Sequence, residues 1–253
     1  MSFLRTALSV LCLSLLVGCV SSGHVDPMKT ADGRDQARDA YVQLGLGYLE
    51  RGMTEKAKQP LKQALELDPN SADAHAILAL AFQREMEYEL ADQHFRKALS
   101  VRGSDARLLN NYGSFLFERE RYNEALESFQ KASEDTMYGE RSRVFENLGL
   151  TYLQLKRPDD ARTAFTRALR LNSQQPRALL EMAVLSYEGG DYPAANSYYG
   201  RFSQMTEQNA RSLLLGARLA RIFDNRDRAA TLGLQLRRLY PGSAEYKQFL
   251  AEQ

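Results

Sequence analysis

The feature that most constrains this chain is a ladder of alanines. Ala57, Ala91, Ala125, Ala161, Ala195 and Ala229 follow one another at intervals of 34, 34, 36, 34 and 34 residues. The same side chains return around each rung. The first copy reads Tyr41-x2-Leu44-Gly45-x2-Tyr48, then Ala57-x3-Leu61-x2-Ala64 and Pro69. The second has Leu78-Ala79-x2-Phe82 and Ala91-x3-Phe95-x2-Ala98, and the third Tyr112-Gly113-x2-Leu116 and Ala125-x3-Phe129-x2-Ala132. The fourth has Phe145-x2-Leu148-Gly149-x2-Tyr152 and Ala161-x3-Phe165-x2-Ala168. Two weaker copies hold Met182-Ala183, Ala195 and Tyr199, then Gly216-Ala217, Ala229 and Pro241. A fixed period of this size marks a stack of small units, each unable to bury its own apolar side alone. Thirty-four residues hold two antiparallel helices of about 12 to 15 residues with short turns. Composition agrees: Pro is scarce, at 7 residues, and good helix formers dominate.

These motifs resemble the tetratricopeptide repeat family over residues 38–243. The resemblance implies an all-α, right-handed superhelical solenoid of six helix-turn-helix repeats: 38–71, 72–105, 106–141, 142–175, 176–209 and 210–243. A short helix at 244–253, with Tyr246, Phe249 and Leu250, is expected to cap the last one, because solenoids need a covered end. The small residues Gly45, Ala79, Gly113, Gly149, Ala183 and Ala217 let paired helices approach, and the aromatics fill the space between layers. The Trp usual near the start of such repeats is replaced by Tyr41, His75, Leu109, Phe145, Leu179 and Leu213. His75 reads as a packed core residue. The longer interval places a two-residue insertion near Thr136 to Arg141. Phe202 stands where a small residue is expected and Gly233 where an aromatic is expected, so the stack bends there or its helices pack differently.

The N-terminus reads as an address. Arg5 precedes the apolar run Ala7 to Val17, which is too short to span a bilayer as a mature helix. It ends Leu16-Val17-Gly18-Cys19, which resembles the lipobox of bacterial lipoproteins. The expectation is a signal peptide at 1–18, a Cys19 carrying acyl chains such as palmitate, and a flexible tether at 19–37 that includes Val20-Ser21-Ser22-Gly23. Several acyl chains anchor firmly, at roughly 0.8 kcal/mol per buried CH2. Val20 stands where an Asp tends to retain lipoproteins at the inner membrane, which points to the outer membrane with the body facing the periplasm. Cys12 and Cys19 both lie in the first twenty residues, so nothing downstream can form a disulfide or thiolate metal site.

By family analogy the first helix of each repeat lines an inner groove. The candidate partner-binding residues are Val42, Leu46, Leu49, Ala76 and Leu80 toward the N-terminus. Further along they are Phe117, Leu150, Leu153, Leu180, Val184 and Tyr187. The N-terminal set forms an apolar cluster of the kind that marks a partner site when exposed; alternatively, residues 24–37 or a neighbouring helix cover it. Arg107, Arg143, Arg177 and Arg211 share one repeat position, and read as a solvated face paired with nearby acids or as a grip for a peptide carboxylate.

Catalytic chemistry has no visible seat. No His or Cys pair has metal-ligand spacing, and no Gly-rich loop follows a strand. Lys plus Arg is 33 against 32 for Asp plus Glu, which gives no pull toward nucleic acid. A protein partner is therefore expected, with no cofactor, metal or small-molecule substrate. Lipobox, tether and six repeats together resemble the type IV pilus biogenesis lipoproteins, the PilF/PilW family of pilotins. That resemblance implies a scaffold that binds the pilus secretin subunit and promotes its outer-membrane localisation and multimerisation. The alternative is a tetratricopeptide lipoprotein adaptor of outer-membrane barrel assembly or of cell-wall hydrolase regulation.

Overall fold

The computed structural model describes residues 27–252, which hold thirteen α-helices, a short 3-10 turn at Pro27–Lys29 and no strand. The signal peptide, Cys19 and the first part of the tether lie outside the described residues. The residues form two compact units, one ending at Glu87 and the other beginning at Tyr88. The first holds α1 (Ala31–Glu50), α2 (Thr54–Leu67) and α3 (Ala72–Arg84). The second holds α4 (Tyr88–Val101), α5 (Ala106–Glu118), α6 (Tyr122–Glu134), α7 (Arg141–Gln154) and α8 (Pro158–Leu171). It continues with α9 (Pro176–Glu188), α10 (Tyr192–Ser203), α11 (Ala210–Ile222), α12 (Arg226–Leu239) and α13 (Ala244–Ala251).

Within each unit every helix packs on the next in sequence, and the first helices of adjacent repeats also meet (α1 with α3, α5 with α7, α7 with α9). The pattern of small and large residues explains the pairing. A Cβ placed on Gly45, Gly113 or Gly149 would lie 2.5, 2.7 and 2.5 Å from Leu61, Phe129 and Phe165 respectively. Each glycine therefore admits the bulky side chain of its partner helix, and Phe129 and Phe165 are fully buried as a result. Burial of one such side chain stabilises by roughly 2–3 kcal/mol.

Each repeat turns between its helices by the same backbone device. Gly52, Met86, Glu120, Lys156, Gly190 and Asp224 all have positive φ, from 52° to 77°, at the spacing of the alanine ladder. Beside them Met53, Glu87, Arg121, Arg157, Asp191 and Asn225 donate their N–H to the carbonyls of Tyr48, Phe82, Leu116, Tyr152, Ser186 and Ala220 at 2.7–2.9 Å. This is the bond that closes a helix whose last residue is left-handed. Only two of the six are Gly, although that conformation costs other L-residues about 1–2 kcal/mol.

Two expectations need correction, and one of the two alternatives for the last repeats is observed. Residues 31–37 are not tether: α1 begins at Ala31, because Thr30 Oγ1 accepts the Gly33 N–H at 3.0 Å and caps the helix. Leu250 does not pack in the cap, being 49% exposed. In the last repeats the helices pack differently: Phe202 is buried beside Tyr199, Leu215 and Leu219, and Gly216 leaves room for the Tyr199 ring. The aromatic missing at Gly233 comes from α13, whose Phe249 ring lies directly on that glycine. The two inserted residues fall in the loop 135–140. There Asp135 caps the Met137 N–H at 2.9 Å and Met137 is 89% exposed.

Candidate functional site

In the second unit the first helices of successive repeats, α5, α7 and α9, line an inner groove. Two adjoining cavities open in it. One of about 400 Å³ is bounded by Leu153, Val184, Leu185 and Glu188, and one of about 380 Å³ by Ser114, Glu118, Arg143 and Asn147. Phe117, Leu150 and Arg177 border both. Of the candidates from sequence, Phe117, Leu153 and Val184 are half-buried at this surface, and Leu150 shows only an edge. One other is corrected. Leu180 is a core residue, packed with Leu179, Ala183 and Tyr199. Tyr187 is half-buried, its ring 5.6 Å from that of Tyr192 and 6.0 Å from the Arg218 guanidinium.

Polar bonds tie the first helices of neighbouring repeats together along this groove. Asn147 Nδ2 donates to Asn110 Oδ1 at 3.1 Å, joining α5 to α7. The Ala178 N–H donates to Glu146 at 3.3 Å, so an acid of α7 caps the start of α9. Burial pushes the Glu146 carboxyl above its ordinary range, opposed by that bond and by Arg177 and Arg143. Arg211 forms a two-pronged pair with Glu181 at 2.5 and 2.9 Å, joining α9 to α11. That hydrogen bond holds the Arg211 guanidinium above its usual value. The arginine series is thus mostly engaged: Arg143 lies 3.4 Å from Glu140, whereas Arg177 makes no ion pair among the described residues.

The first unit differs from its sequence reading. Val42 and Leu49 are core residues, 5% and 2% exposed, clustered with Leu61, Ile77 and Leu78. Leu46 and Leu80 are half-buried against that cluster, and Ala76 is half-buried on α3. The apolar residue that α1 does expose is Leu44, at 48%. Leu44 holds the repeat position that later copies bury as Leu78, Tyr112, Leu148 and Met182, all at 8% or less. Ala40 and Gly47 behave alike. Ala40 is exposed where Ala74, Leu108, Val144 and Ala178 are buried, and Gly47 has nothing within 4 Å where Ala81, Phe115 and Leu185 are buried. In later repeats this face lies against the preceding helix, as α3 lies on α2. The first repeat has no preceding helix among the described residues, so there the stripe Ala40, Leu44 and Gly47 of α1 has no helix stacked on it. Solenoid logic could have found it: repeat one has no predecessor in the ladder.

His75 is buried, with its Nε2 3.0 Å from the Pro69 carbonyl. No His, Cys, Asp or Glu cluster suited to a metal exists among the described residues, and no helix there is long and apolar enough to cross a membrane.

Family models described as tetratricopeptide repeat match residues 39–71 and 104–174. The type IV pilus assembly protein PilF of Pseudomonas aeruginosa is 59% identical over 248 residues, which is 98% of each chain. The solved structure of Pseudomonas aeruginosa PilF superposes with a TM-score of 0.84 at 61% identity, over 87% of this chain and 100% of that one. The crystal structure of PilW, a widely conserved type IV pilus biogenesis factor, superposes with a TM-score of 0.71 at 28% identity, over 85% of this chain and 99% of that one.

Proposed function

This chain belongs to the family of the type IV pilus assembly protein PilF, and we propose that it is an outer-membrane lipoprotein of that family that binds the pilus secretin subunit. Membership carries a role in type IV pilus biogenesis through protein–protein contact. The finer reading is a scaffold without turnover. It carries lipid on Cys19, faces the periplasm, and promotes outer-membrane localisation and multimerisation of the secretin.

The observation that supports a docking role is the stripe of α1 that has no helix stacked on it among the described residues. Ala40, Leu44 and Gly47 form one stripe of that helix at i, i+4 and i+7. An apolar helix of the partner would lie on it as α2 lies under α3, with the small residues permitting close approach. Isolated exposed apolar residues are ordinary, whereas a stripe that repeats the packing pattern of the later copies supports a partner site.

Pull-down from detergent extract tests the reading. The unaltered protein should recover the secretin, and Leu44→Glu, which places a charge on the stripe, should lose it while remaining folded. Recovery of barrel-assembly factors or cell-wall hydrolases in place of the secretin would overturn the choice of partner. Cys19→Ser should give a folded protein that fails to carry its client to the outer membrane, and normal client localisation in that variant would refute the anchoring step.

A further inference from the structure

We infer that the inter-repeat edge of the last three repeats lies on the surface of an anionic lipid bilayer, as a second membrane contact that builds on the lipid-anchored reading proposed above.

Leu171, Met205 and Leu239 carry this reading. Each is the tenth residue after a ladder alanine (Ala161, Ala195 and Ala229). Leu171 and Leu239 end α8 and α12, and Met205 follows the end of α10. They are 51%, 39% and 53% exposed. Single exposed leucines are ordinary, but these three share one edge. Arg201, in the last turn of α10, donates from Nη2 to the Ser173 carbonyl behind α8 at 2.8 Å. The Tyr240 hydroxyl, just past α12, donates to the Gln208 carbonyl behind α10 at 3.1 Å. The ends of the three second helices are thereby bonded into a row. The row stops at Asp135, which holds the same position in the third repeat.

The edge is also cationic. Arg170 precedes Leu171, Arg237 and Arg238 precede Leu239, and Lys247 lies on the adjoining α13. All four are exposed, and none makes an ion pair among the described residues. The connecting segments 168–179, 202–213 and 236–247 hold six Lys and Arg against two acids, Glu207 and Glu245. One of the six, Arg211, is held by Glu181. At the opposite edge of the same repeats, segments 152–163, 186–197 and 220–231 hold six of each sign. The helix dipole favours a cation at a C-terminal end, which accounts for Arg170, Arg237 and Arg238. It gives no reason for Leu171 and Leu239 to stay half bare beside them. Leucines among unpaired arginines suit the headgroup layer, where the apolar side chains reach the acyl boundary and the guanidinium groups meet phosphates. A neutral bilayer would take the leucines and gain nothing from the arginines, so the charge selects an anionic one. In the first unit, considered by itself, the chain also enters at an inter-repeat edge, since Arg38 of α1 lies 3.6 Å from Asp68 at the end of α2.

The test uses the full-length protein purified from detergent extract and added to vesicles that contain nitroxide-headgroup lipid as quencher. One set is phosphatidylethanolamine with a quarter phosphatidylglycerol, the other phosphatidylcholine. A bimane label is placed through Ser173→Cys or Gly242→Cys on the edge, or through Lys156→Cys in a turn of the opposite edge. The unaltered protein, treated in parallel, gives the background from Cys19. Labels at 173 and 242 should be quenched on the anionic vesicles and far less on the neutral ones, and the label at 156 on neither. Arg238→Gln should lower the fraction in contact about fivefold. Leu171→Ser and Leu239→Ser should lower it too, with thermal unfolding little changed because both side chains are half exposed. Equal quenching at all three labels, equal quenching on both kinds of vesicle, or none at 173 and 242 would overturn the inference. Labels that respond to protein concentration without vesicles would put a second copy on the edge and overturn it as well. Mass spectrometry of the N-terminal peptide keeps the two readings apart. Acylated Cys19 without quenching sinks the edge alone, unmodified Cys19 with quenching sinks the anchor and leaves the edge standing, and unmodified Cys19 without quenching sinks both.

Discussion

The first and last repeats of this chain meet the same problem and treat it differently. A stack of like units leaves its terminal packing faces without a neighbour, and solenoids usually cover them with a polar cap. In the second unit the end is sealed. Helix α13 packs on α11 and α12, its Phe249 ring fills the space over Gly233, and Arg218 holds Glu252 at its tail. In the first unit, Ala40, Leu44 and Gly47 of α1 carry the small and apolar pattern of a buried interface, with no covering element among the described residues. The sealed end is held by contacts inside the chain. Among the described residues, the stripe at the first end has no helix stacked on it.

The sharpest way to break this contrast is to unseal the covered end. Phe249→Ala removes a buried ring, and such truncations cost about 3–5 kcal/mol. Hydrogen exchange should show α13 and α12 losing protection while α1 to α3 keep theirs. Equal loss in both units would mean that the last repeat is not a local seal.

A second comparison uses one residue type at one repeat position. Leu148 is 4% exposed and Leu44 48%. Leu148→Ala should cost about 2–5 kcal/mol in urea unfolding, and Leu44→Ala no more than about 0.5 kcal/mol. Partner capture should respond in the reverse order, with Leu44→Ala impaired and Leu148→Ala retained under conditions where it stays folded. A large stability loss at Leu44 would show that its face is covered after all.

Glycines give a finer contrast, with opposite signs. Gly149→Ala drives a Cβ to 2.5 Å from the Phe165 ring, overpacking that costs about 1–3 kcal/mol. Gly47→Ala meets nothing within 4 Å and should stabilise α1 by about 0.5–1 kcal/mol, through its better helix propensity. Thermal unfolding reads both. If a partner helix approaches the stripe closely, Gly47→Ala should weaken capture even as it raises Tm.

These pairs also mark what the amino-acid sequence made legible. The period, the paired helices and the glycine–aromatic contacts follow from side-chain size at fixed positions, and Gly149 with Phe165 is visible in the letters. Burial of Val42 and Leu49 is not, because family analogy assigns a groove position without saying how deeply the next helix covers it. The exposure of Leu44 was missed for the converse reason: its position is a core position wherever a repeat precedes it. The left-handed turn residues escaped because Met86, Glu120, Lys156 and Asp224 carry no glycine to advertise the conformation. The start of α1 was misplaced because Gly33 and its neighbouring aspartates look like linker until Thr30 is seen to cap them. Gly233 looked like a defect since its aromatic arrives from Phe249, outside the repeat.

The smallest effect separates the two ends by pH. The hydrogen bond from Arg218 holds the Glu252 carboxyl below its ordinary value, with burial opposing and Arg221 assisting. A depressed carboxyl favours folding while it is charged, so its contribution is complete above the unfolded-chain value of about 4.3. It is lost as pH falls through the lower folded value. Both partners are partly solvent-exposed, with side chains 28% and 34% accessible, so screening limits the effect to about 1 kcal/mol or less. Acidification from pH 6 to pH 3 should therefore loosen α13 in hydrogen exchange, and Glu252→Gln should produce the same loosening at pH 7, where the wild type shows none. The open face of α1 is built from Ala40, Leu44 and Gly47, which do not titrate, so partner affinity at that face should not follow the same curve. If Glu252→Gln leaves α13 protection unchanged at pH 7, the seal rests on Phe249 alone.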